Sequence, residues 1–185
     1  PCEAVYRDEP DPRPGAGDVL IRVDAVGICG SDMHAYHGRD PRRVPPLVLG
    51  HELAGELLEG PGRGKLVTVN PIIACGHCDY CRAGRGNLCR NLRMLGSAST
   101  KPPTDGGFSE YLRAGAEQCY AMPAGMDDGL GAMMEPFAVA LQALARAGSV
   151  ASRRVLVSGG GPIGLLVVIA ARAFGATTVA LSDPV

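Results

Sequence analysis

The chain has 185 residues, of which 46% are hydrophobic and 20% charged, and its formal net charge at pH 7 is -1. This composition allows a buried core and argues against disorder. Because the chain has no excess of basic side chains, we expect no nucleic-acid partner. We expect no membrane association either, because no apolar run is long enough to cross a bilayer. Seven cysteines without a secretion signal predict a reducing, cytoplasmic location.

The first predicted element is a strand over residues 19–26, VLIRVDAV, with the alternation of a half-buried sheet. Cys29 follows this strand, and His51 and Glu52 follow a second apolar run, so two loops can bring the three side chains together. Cysteine, histidine and a carboxylate suit catalytic zinc, which keeps one coordination position open. The alternative is a buried core cysteine and a histidine in a turn, and these residues taken alone favour it.

A polar stretch, CGHCDYCRAGRGNLC, holds four closely spaced cysteines: Cys75, Cys78, Cys81 and Cys89. Disulfides would need an oxidising compartment. An iron–sulfur cluster would place its fourth cysteine after a shorter gap and before proline. Tetrahedral zinc held by all four thiolates fits the spacing best, and such a closed site is structural because no position is left for substrate. His77 is another candidate ligand, although a place in a surface turn suits it better.

The stretch DDGLGAMMEPFAVALQALARA is helix-like from Asp127 to Ala147. Glu135 lies there in an apolar surround, directly before Pro136. A buried carboxylate needs a partner, and a metal ion or its bound water would supply one. The alternative places Glu135 on the solvent face of the helix, and hydrophobic periodicity does not decide between the two.

The last part of the sequence predicts a strand, a glycine-rich turn, a helix and a second strand. The strand over residues 155–157 runs into GGGPIG, the helix covers 163–174, and the second strand over 178–181 leads to Asp183. This order, with an acidic residue about 20 positions after the turn, is typical of dinucleotide binding. Asp183 would accept hydrogen bonds from a ribose hydroxyl, which favours NAD and leaves NADP as the second candidate.

The residues of the glycine-rich turn have separate predicted roles. Gly159 permits the tight turn, Gly161 lets the backbone approach the pyrophosphate, and Gly164 allows close packing of helix on strand. Pro162 and Ile163 open the helix, whose free N–H groups attract phosphate. The alternative is a strand-to-helix turn that binds no ligand.

The order of these motifs resembles the zinc-dependent medium-chain alcohol and polyol dehydrogenases. The resemblance rests on CGSDMH, GHE, the four cysteines, EP and the glycine-rich turn, and it covers essentially the whole chain. The stretches MLGSAS, DGGFSEYL, EQC and MEPFAVAL are most similar to the subgroup that acts on L-idonate, which borders on the sorbitol and threonine dehydrogenases. The family implies a GroES-like β-rich catalytic domain over residues 1–149, with a structural-zinc lobe at about 75–89. The start (βαβ) of an incomplete Rossmann domain follows over 150–185.

The resemblance also implies roles for single residues. Three of them match ligands of the catalytic zinc: Cys29, His51 and Glu52. Glu135 matches a carboxylate that lies at the zinc or at its water in polyol dehydrogenases. Ser31 matches the hydroxyl that hydrogen-bonds the zinc-bound oxygen, and His34 matches a proton-relay position. The four clustered cysteines match the structural-zinc ligands.

Glu52 and Glu135 compete for direct contact with the metal. If His51 and Glu52 lie on one strand, their side chains point to opposite faces, which favours Glu135 as the ligand. Two carboxylates and a thiolate together would over-neutralise the zinc ion. We therefore expect one of the two carboxylates to bind through water or to stay outside the ligand set.

The family implies oxidation of a secondary alcohol of a sugar acid or polyol, with hydride transfer to NAD(P). The specific expectation is conversion of L-idonate to 5-keto-D-gluconate. The family's later Rossmann strands and the returning part of its catalytic domain are absent from the sequence, and we expect a dimer or tetramer in a full-length form. The alternatives are a truncated, non-catalytic zinc-binding fragment and a relative of the sorbitol or threonine dehydrogenases.

Overall fold

The structure, a computed structural model, describes residues 3–184. The chain divides into two compact units, Pro1–Met133 and Met134–Val185. Within the described residues, no helix has both the length and the apolar character that crossing a membrane requires.

The first unit is built around an antiparallel sheet. The described part of this unit contains seven strands: β1 (Asp18–Gly27), β2 (Glu52–Glu59), β3 (Leu66–Val69), β4 (Ile72–Ile73), β5 (Arg93–Met94), β6 (Tyr111–Gly115) and β7 (Cys119–Ala121). Five strands form one sheet in the order β6-β1-β2-β3-β7, and β4 pairs with β5. The strand predicted over residues 19–26 is confirmed as β1, and the first unit is rich in β-strands as the sequence predicts.

The core of the first unit follows from strand alternation. Val19 and Ile21 of β1 are fully buried while Arg22 is exposed, as one-sided burial of a sheet requires. The strands approach closely at Gly55, where an added Cβ would lie 2.0 Å from the carbonyl oxygen of Arg22. The buried side chains of this core are Val19, Ile21, Leu53, Leu57, Val67, Val69, Leu95, Leu112 and Ala114.

Three short α-helices complete the first unit: α1 (Gly30–Tyr36), α2 (Asp79–Arg82) and α3 (Asp128–Ala132). Helix α1 begins directly after β1, and α2 lies within the cysteine-rich lobe. A 3-10 helix at Gly86–Leu88 follows α2, directly before the last clustered cysteine.

The second unit contains α4 (Met134–Ala147), β8 (Arg154–Ser158), α5 (Pro162–Ala173) and β9 (Thr178–Ser182). Strands β8 and β9 pair in parallel, so α5 is the crossover helix of a β-α-β unit. The predicted order of strand, turn, helix and strand is confirmed, and each bound lies within one residue of the prediction.

The helix predicted from Asp127 to Ala147 is wrong as a single element. It is two helices, α3 and α4, interrupted at Met133. Pro136 supplies the physical reason, because its ring has no N–H to donate to the carbonyl of Ala132 and would clash with that carbonyl in a continuous helix. The compact units also divide at this interruption, which groups residues 134–149 with the second unit and not with the first.

Candidate active site and metal centres

Cys29 and His51 meet because β1 and β2 are antiparallel neighbours. The last residue of β1, Gly27, pairs with the first residue of β2, Glu52, so the two flanking loops lie at one end of the sheet. A sulfur, a ring nitrogen and a carboxylate oxygen from Cys29, His51 and Glu52 all lie within 4.8 Å of one another. One thiolate, one imidazole and one carboxylate make a three-donor zinc set with room for a further ligand.

The expectation that His51 and Glu52 point to opposite faces is wrong for this structure. Strand β2 begins at Glu52, so His51 lies outside the strand and alternation does not apply to the pair. Gly27 makes room for the carboxylate, since a Cβ there would lie 2.5 Å from Glu52 Oε2. Glu52 is therefore within reach of a metal held by Cys29 and His51. Direct ligation by Glu52 or by Glu135 stays a prediction.

Asp32 is a site residue that the sequence reasoning missed. Its Oδ2 accepts a hydrogen bond from the Cys29 backbone N–H at 2.9 Å, and its Oδ1 lies 3.6 Å from His51 Nδ1. Asp32 and His51 are each only 3% exposed, so this carboxylate is buried behind both donors. The signal was available, because Asp32 lies three residues after Cys29, at the capping-box position of α1.

The Asp32 carboxylate lies on the Nδ1 side of the His51 ring, at 3.6 Å, which is too long for a hydrogen bond. Since Nδ1 faces the Asp32 carboxylate, Nε2 is the nitrogen left for a ligand, the arrangement usual for a metal-bound histidine. Burial lowers the pKa of His51, Asp32 opposes this shift, and the charge of Arg43 lowers the pKa further. A neutral ring is the form that ligates metal.

Three residues at or next to this site, Ser31, Asp32 and His51, have a buried polar atom without a hydrogen-bond partner. Among the described residues, the buried side-chain atoms without a hydrogen-bond partner are Ser31 Oγ, Asp32 Oδ1, Arg43 Nε, His51 Nδ1 and Thr104 Oγ1. Asp32 and His51 face each other, but Ser31 Oγ, two residues after Cys29, lacks an acceptor or donor. An oxygen of a bound ligand would satisfy this hydroxyl, and a zinc site here fits the residues present.

Ser31 and His34 lie one turn apart on α1 and so share a helix face. Ser31 Oγ is buried, whereas His34 is exposed to solvent. This pair could pass a proton from the interior of the site to water.

The four clustered cysteines converge in the lobe between β4 and β5. Their sulfur atoms all lie within 4.8 Å of one another, with Cys78 Sγ 3.5 Å and Cys75 Sγ 3.9 Å from Cys81 Sγ. Backbone N–H groups of Cys75 and Asn91 donate to Cys89 Sγ at 3.2 and 3.3 Å. Such donors stabilise thiolates, and four thiolates at this spacing match a closed tetrahedral zinc site.

The lobe's electrostatics also fit a cation. The backbone N–H of Arg90, followed by that of Cys81, lowers the pKa of Cys78 to about 6. Burial and the neighbouring thiols raise the pKa of Cys81 to about 12. Four thiols this close cannot all ionise without a positive charge between them. His77 is exposed, and its Nδ1 lies 2.7 Å from the Cys75 carbonyl oxygen, which places it in a surface turn outside the sulfur cluster.

The glycine-rich turn leaves open space in front of α5. Gly159 has a φ of +104°, and a Cβ on Gly164 would lie 1.9 Å from the Gly159 carbonyl oxygen, so both positions require glycine. A Cβ on Gly161, the N-cap of α5, would meet nothing within 4 Å. Pro162 and the half-exposed Ile163 follow in the first turn. Open space at a helix N-terminus suits a phosphate group.

Asp183 lies beside this turn, directly after β9. Its carboxylate accepts a hydrogen bond from the backbone N–H of Gly160, and its side chain is exposed. The structure thus brings together the glycine-rich turn and the acidic residue that the sequence pairs with it. Glu135 lies half-buried in the first turn of α4, and its metal role stays a prediction.

Comparison with known proteins supports this fold. The alcohol dehydrogenase GroES-like domain matches residues 15–124. The chain is 39% identical to L-idonate 5-dehydrogenase (NAD(P)(+)) of Escherichia coli K12 over 171 residues, which cover 89% of this chain and 50% of that protein. It is also 39% identical to sorbitol dehydrogenase of Bacillus subtilis 168 over 175 residues, which cover 90% of this chain and 48% of that protein.

A solved structure shows the same fold. Alcohol dehydrogenase TADH from Thermus sp. ATN1 superposes with a TM-score of 0.86 at 31% identity, covering 97% of this chain and 55% of the other. The chain belongs to the zinc-dependent medium-chain alcohol dehydrogenase family. It spans about half the length of the curated relatives it matches.

Proposed function

We propose that this protein oxidises a secondary alcohol of a sugar acid or polyol and transfers hydride to NAD(P). The observation that carries the proposal is the convergence of Cys29, His51 and Glu52 at one end of the sheet. Asp32 supports this convergence from behind, because it contacts both the Cys29 backbone and the His51 ring. Three protein donors with one open position are the arrangement that catalytic zinc uses.

The residues around the three donors suit alcohol oxidation. Zinc bound there would supply a Lewis acid that lowers the pKa of a substrate alcohol. Ser31 Oγ, buried and unpaired, would accept the proton of the substrate hydroxyl while releasing its own hydroxyl proton. His34, exposed on the next turn of α1, would take up the released proton and pass a proton to solvent. Asp32 holds the His51 ring in one orientation, and its mutation would loosen the whole set.

The four-cysteine lobe has a different proposed role. Cys75, Cys78, Cys81 and Cys89 would hold a structural zinc ion with no position for substrate. The metal would fix a lobe whose only regular elements are short helical turns and the two-residue strands β4 and β5.

We propose that the glycine-rich turn begins a Rossmann domain and binds the pyrophosphate of the cofactor. The open face at Gly161 supports this role, and Asp183 would bind the ribose hydroxyls. A carboxylate there repels a 2′-phosphate, so NAD is the preferred cofactor and NADP the second candidate. The name of the L-idonate relative includes both.

For the substrate we propose L-idonate, oxidised to 5-keto-D-gluconate. The equal identity to a sorbitol dehydrogenase keeps a polyol as the second substrate class. A second candidate function is that of a non-catalytic zinc-binding fragment, for which the two groups of convergent metal donors are the supporting observation. A cytoplasmic location and a dimer or tetramer stay predictions.

A direct assay tests the proposal. Zinc-loaded protein is given L-idonate, sorbitol or L-threonine with NAD+ or NADP+, and reduced cofactor is followed at 340 nm. We expect reduction with L-idonate or sorbitol. Zinc-replete protein that oxidises none of these alcohols, in this chain or in any longer natural form, contradicts the dehydrogenase proposal. Activity confined to a longer form supports the fragment function for the chain alone.

A further inference from the structure

Arg43 is a buried guanidinium with an unmade hydrogen bond. It lies between α1 and β2, is 7% exposed, and its Nη1 donates to Asp40 Oδ2 at 2.6 Å. Its Nε has no partner among the described residues. A buried charged donor without an acceptor costs free energy and is rare in native proteins. The fold alone does not explain this atom.

Arg43 shares the Asp40 carboxylate with Arg42. Asp40 is buried and pairs with both guanidinium groups. Hydrogen bonds from Arg42, opposed by burial, hold the pKa of Asp40 well below its usual range, so this carboxylate is ionised at neutral pH. The Arg42 side chain is 66% exposed and hydrated, whereas Arg43 is buried and bonds Asp40 through Nη1.

The Arg43 loop lies beside the candidate active site. Segment 96–98 links the loop to the site. Ala98 donates its backbone N–H to Arg42 O at 2.7 Å. Gly96 packs on Gly50, because a Cβ added to Gly96 would lie 3.3 Å from the Gly50 nitrogen. Two residues of chain span at most ~7 Å, so this loop is close to the residue that precedes His51. The charge of Arg43 also acts on the His51 ring.

We infer that Arg43 binds the carboxylate of the substrate and thereby selects sugar acids over neutral polyols. This inference rests on the proposed dehydrogenase function. Asp40 accepts from Nη1 and leaves Nε without an acceptor, and the edge of the planar guanidinium that carries Nε is the one that binds a carboxylate with two parallel hydrogen bonds. A primary alcohol in the same place offers one neutral oxygen and leaves the charge unpaired. A site built around such a pair discriminates strongly against a substrate that lacks the partner.

The test compares two matched substrates on the zinc-loaded holoenzyme. L-iditol has the carbon chain of L-idonate with a hydroxymethyl group in place of the carboxylate. In Arg43→Met we expect KM for L-idonate to rise ~10- to 100-fold, the usual loss for a charged hydrogen bond. We expect kcat/KM for L-idonate to fall by the same factor relative to kcat/KM for L-iditol, because any effect of the Arg43 charge on His51 acts on both substrates alike. Arg42→Met is the matched control, because it also removes a contact to Asp40 but lies in solvent.

The outcomes separate specificity from a structural role. Parallel changes in KM for L-idonate and L-iditol, or a wild-type preference for L-iditol, would overturn the inference. If Arg43→Met does not fold, Arg43→Lys replaces it under the same criterion, because it keeps the charge but loses the planar edge. If wild type oxidises neither L-idonate nor L-iditol, L-idonate fails as the proposed substrate, and calorimetry of L-idonate binding still tests Arg43. Equal affinity of wild type and variant in that experiment overturns the inference, and weaker binding by the variant supports it.

Discussion

The molecule brings cysteine donors together in two regions, the four-cysteine lobe and the Cys29 site, and builds them differently. All four donors of the lobe come from one stretch of 15 residues, 75–89, and are identical. At the other site three different donors come from loops more than 20 positions apart, next to neighbouring strands. The two regions also differ in burial. Three of the four cysteines in the lobe are half-buried, whereas His51 and Asp32 are almost fully buried.

This difference shows what each metal would do. In the lobe, a cysteine sulfur accepts hydrogen bonds from backbone N–H groups, and the four sulfur atoms would fill every position of a tetrahedral metal ion. Metal binding there contributes folding free energy. At the Cys29 site a buried carboxylate orients the ligands, and the hydroxyl of Ser31 is left unpaired. That hydroxyl and the open metal position leave room for a reacting molecule. The following substitutions are expected to separate the two roles.

The largest effect is expected for His51→Gln. Loss of the imidazole donor should release the catalytic metal and lower kcat/KM by at least ~1000-fold, because the bound metal supplies the charge stabilisation that drives the reaction. Zinc analysis should fall from two ions to one per chain, with the lobe still loaded. Cys119→Ser is the control, because Cys119 is a half-buried thiol outside both donor sets. A His51→Gln protein that keeps both zinc ions would show that His51 is not a zinc ligand, which contradicts the catalytic metal site.

Cys81→Ser should act on stability first. Structural zinc contributes ~10–16 kcal/mol to the folding of small zinc domains, so loss of one thiolate should lower zinc content and Tm together. His77→Ala is the matched control, since His77 lies in the same lobe but bonds a backbone carbonyl oxygen. Metal analysis and thermal unfolding check the result. Unchanged zinc content in Cys81→Ser would refute the structural-zinc assignment.

A smaller effect is expected for Asp32→Asn. The amide keeps the size of the side chain but removes the charge that faces His51 Nδ1, so zinc affinity or activity should fall ~10- to 100-fold. Zinc affinity of the lobe should stay at the wild-type value. Competition with a metal-binding dye gives the zinc affinity of each site separately. Equal weakening of both sites would show a general loss of folding.

The smallest effect on either metal site is expected for Asp183→Ala. Asp183 contacts the glycine-rich turn, so its loss should leave both zinc sites loaded and narrow the preference for NAD over NADP by ~10-fold. Ser182→Ala is the neighbouring control on β9. The ratio of kcat/KM with NAD to kcat/KM with NADP measures this preference in wild type and in each variant. A wild-type preference for NADP would contradict the role of Asp183.

Features written in short stretches of sequence could be predicted. Alternation along 19–26 located β1, and the glycine-rich turn with Asp183 located the β-α-β unit. The cysteine spacing placed four sulfur atoms around one point, because a few residues of chain cannot separate them far.

Features that depend on distant residues were missed. Asp32 was not assigned, although its position after Cys29 was visible, because its role depends on His51 from another loop. The opposite-face argument for Glu52 failed because the start of β2 is set by pairing with Gly27, which the local sequence does not show. Pro136 indicated a helix break near Met133, but the apolar periodicity continues across this position and favoured a single helix.

Anomalous diffraction at the zinc edge, on crystals of zinc-loaded protein, shows whether the chain binds a catalytic and a structural zinc ion. We predict two ions per chain. One would have four sulfur ligands at ~2.3 Å, and the other would have Cys29 sulfur, a His51 nitrogen at ~2.0–2.1 Å and a carboxylate oxygen at ~2.0–2.2 Å. The last distance also decides between Glu52 and Glu135. A zinc-replete protein with no metal at Cys29 and His51, in this chain and in any longer form, would contradict the account.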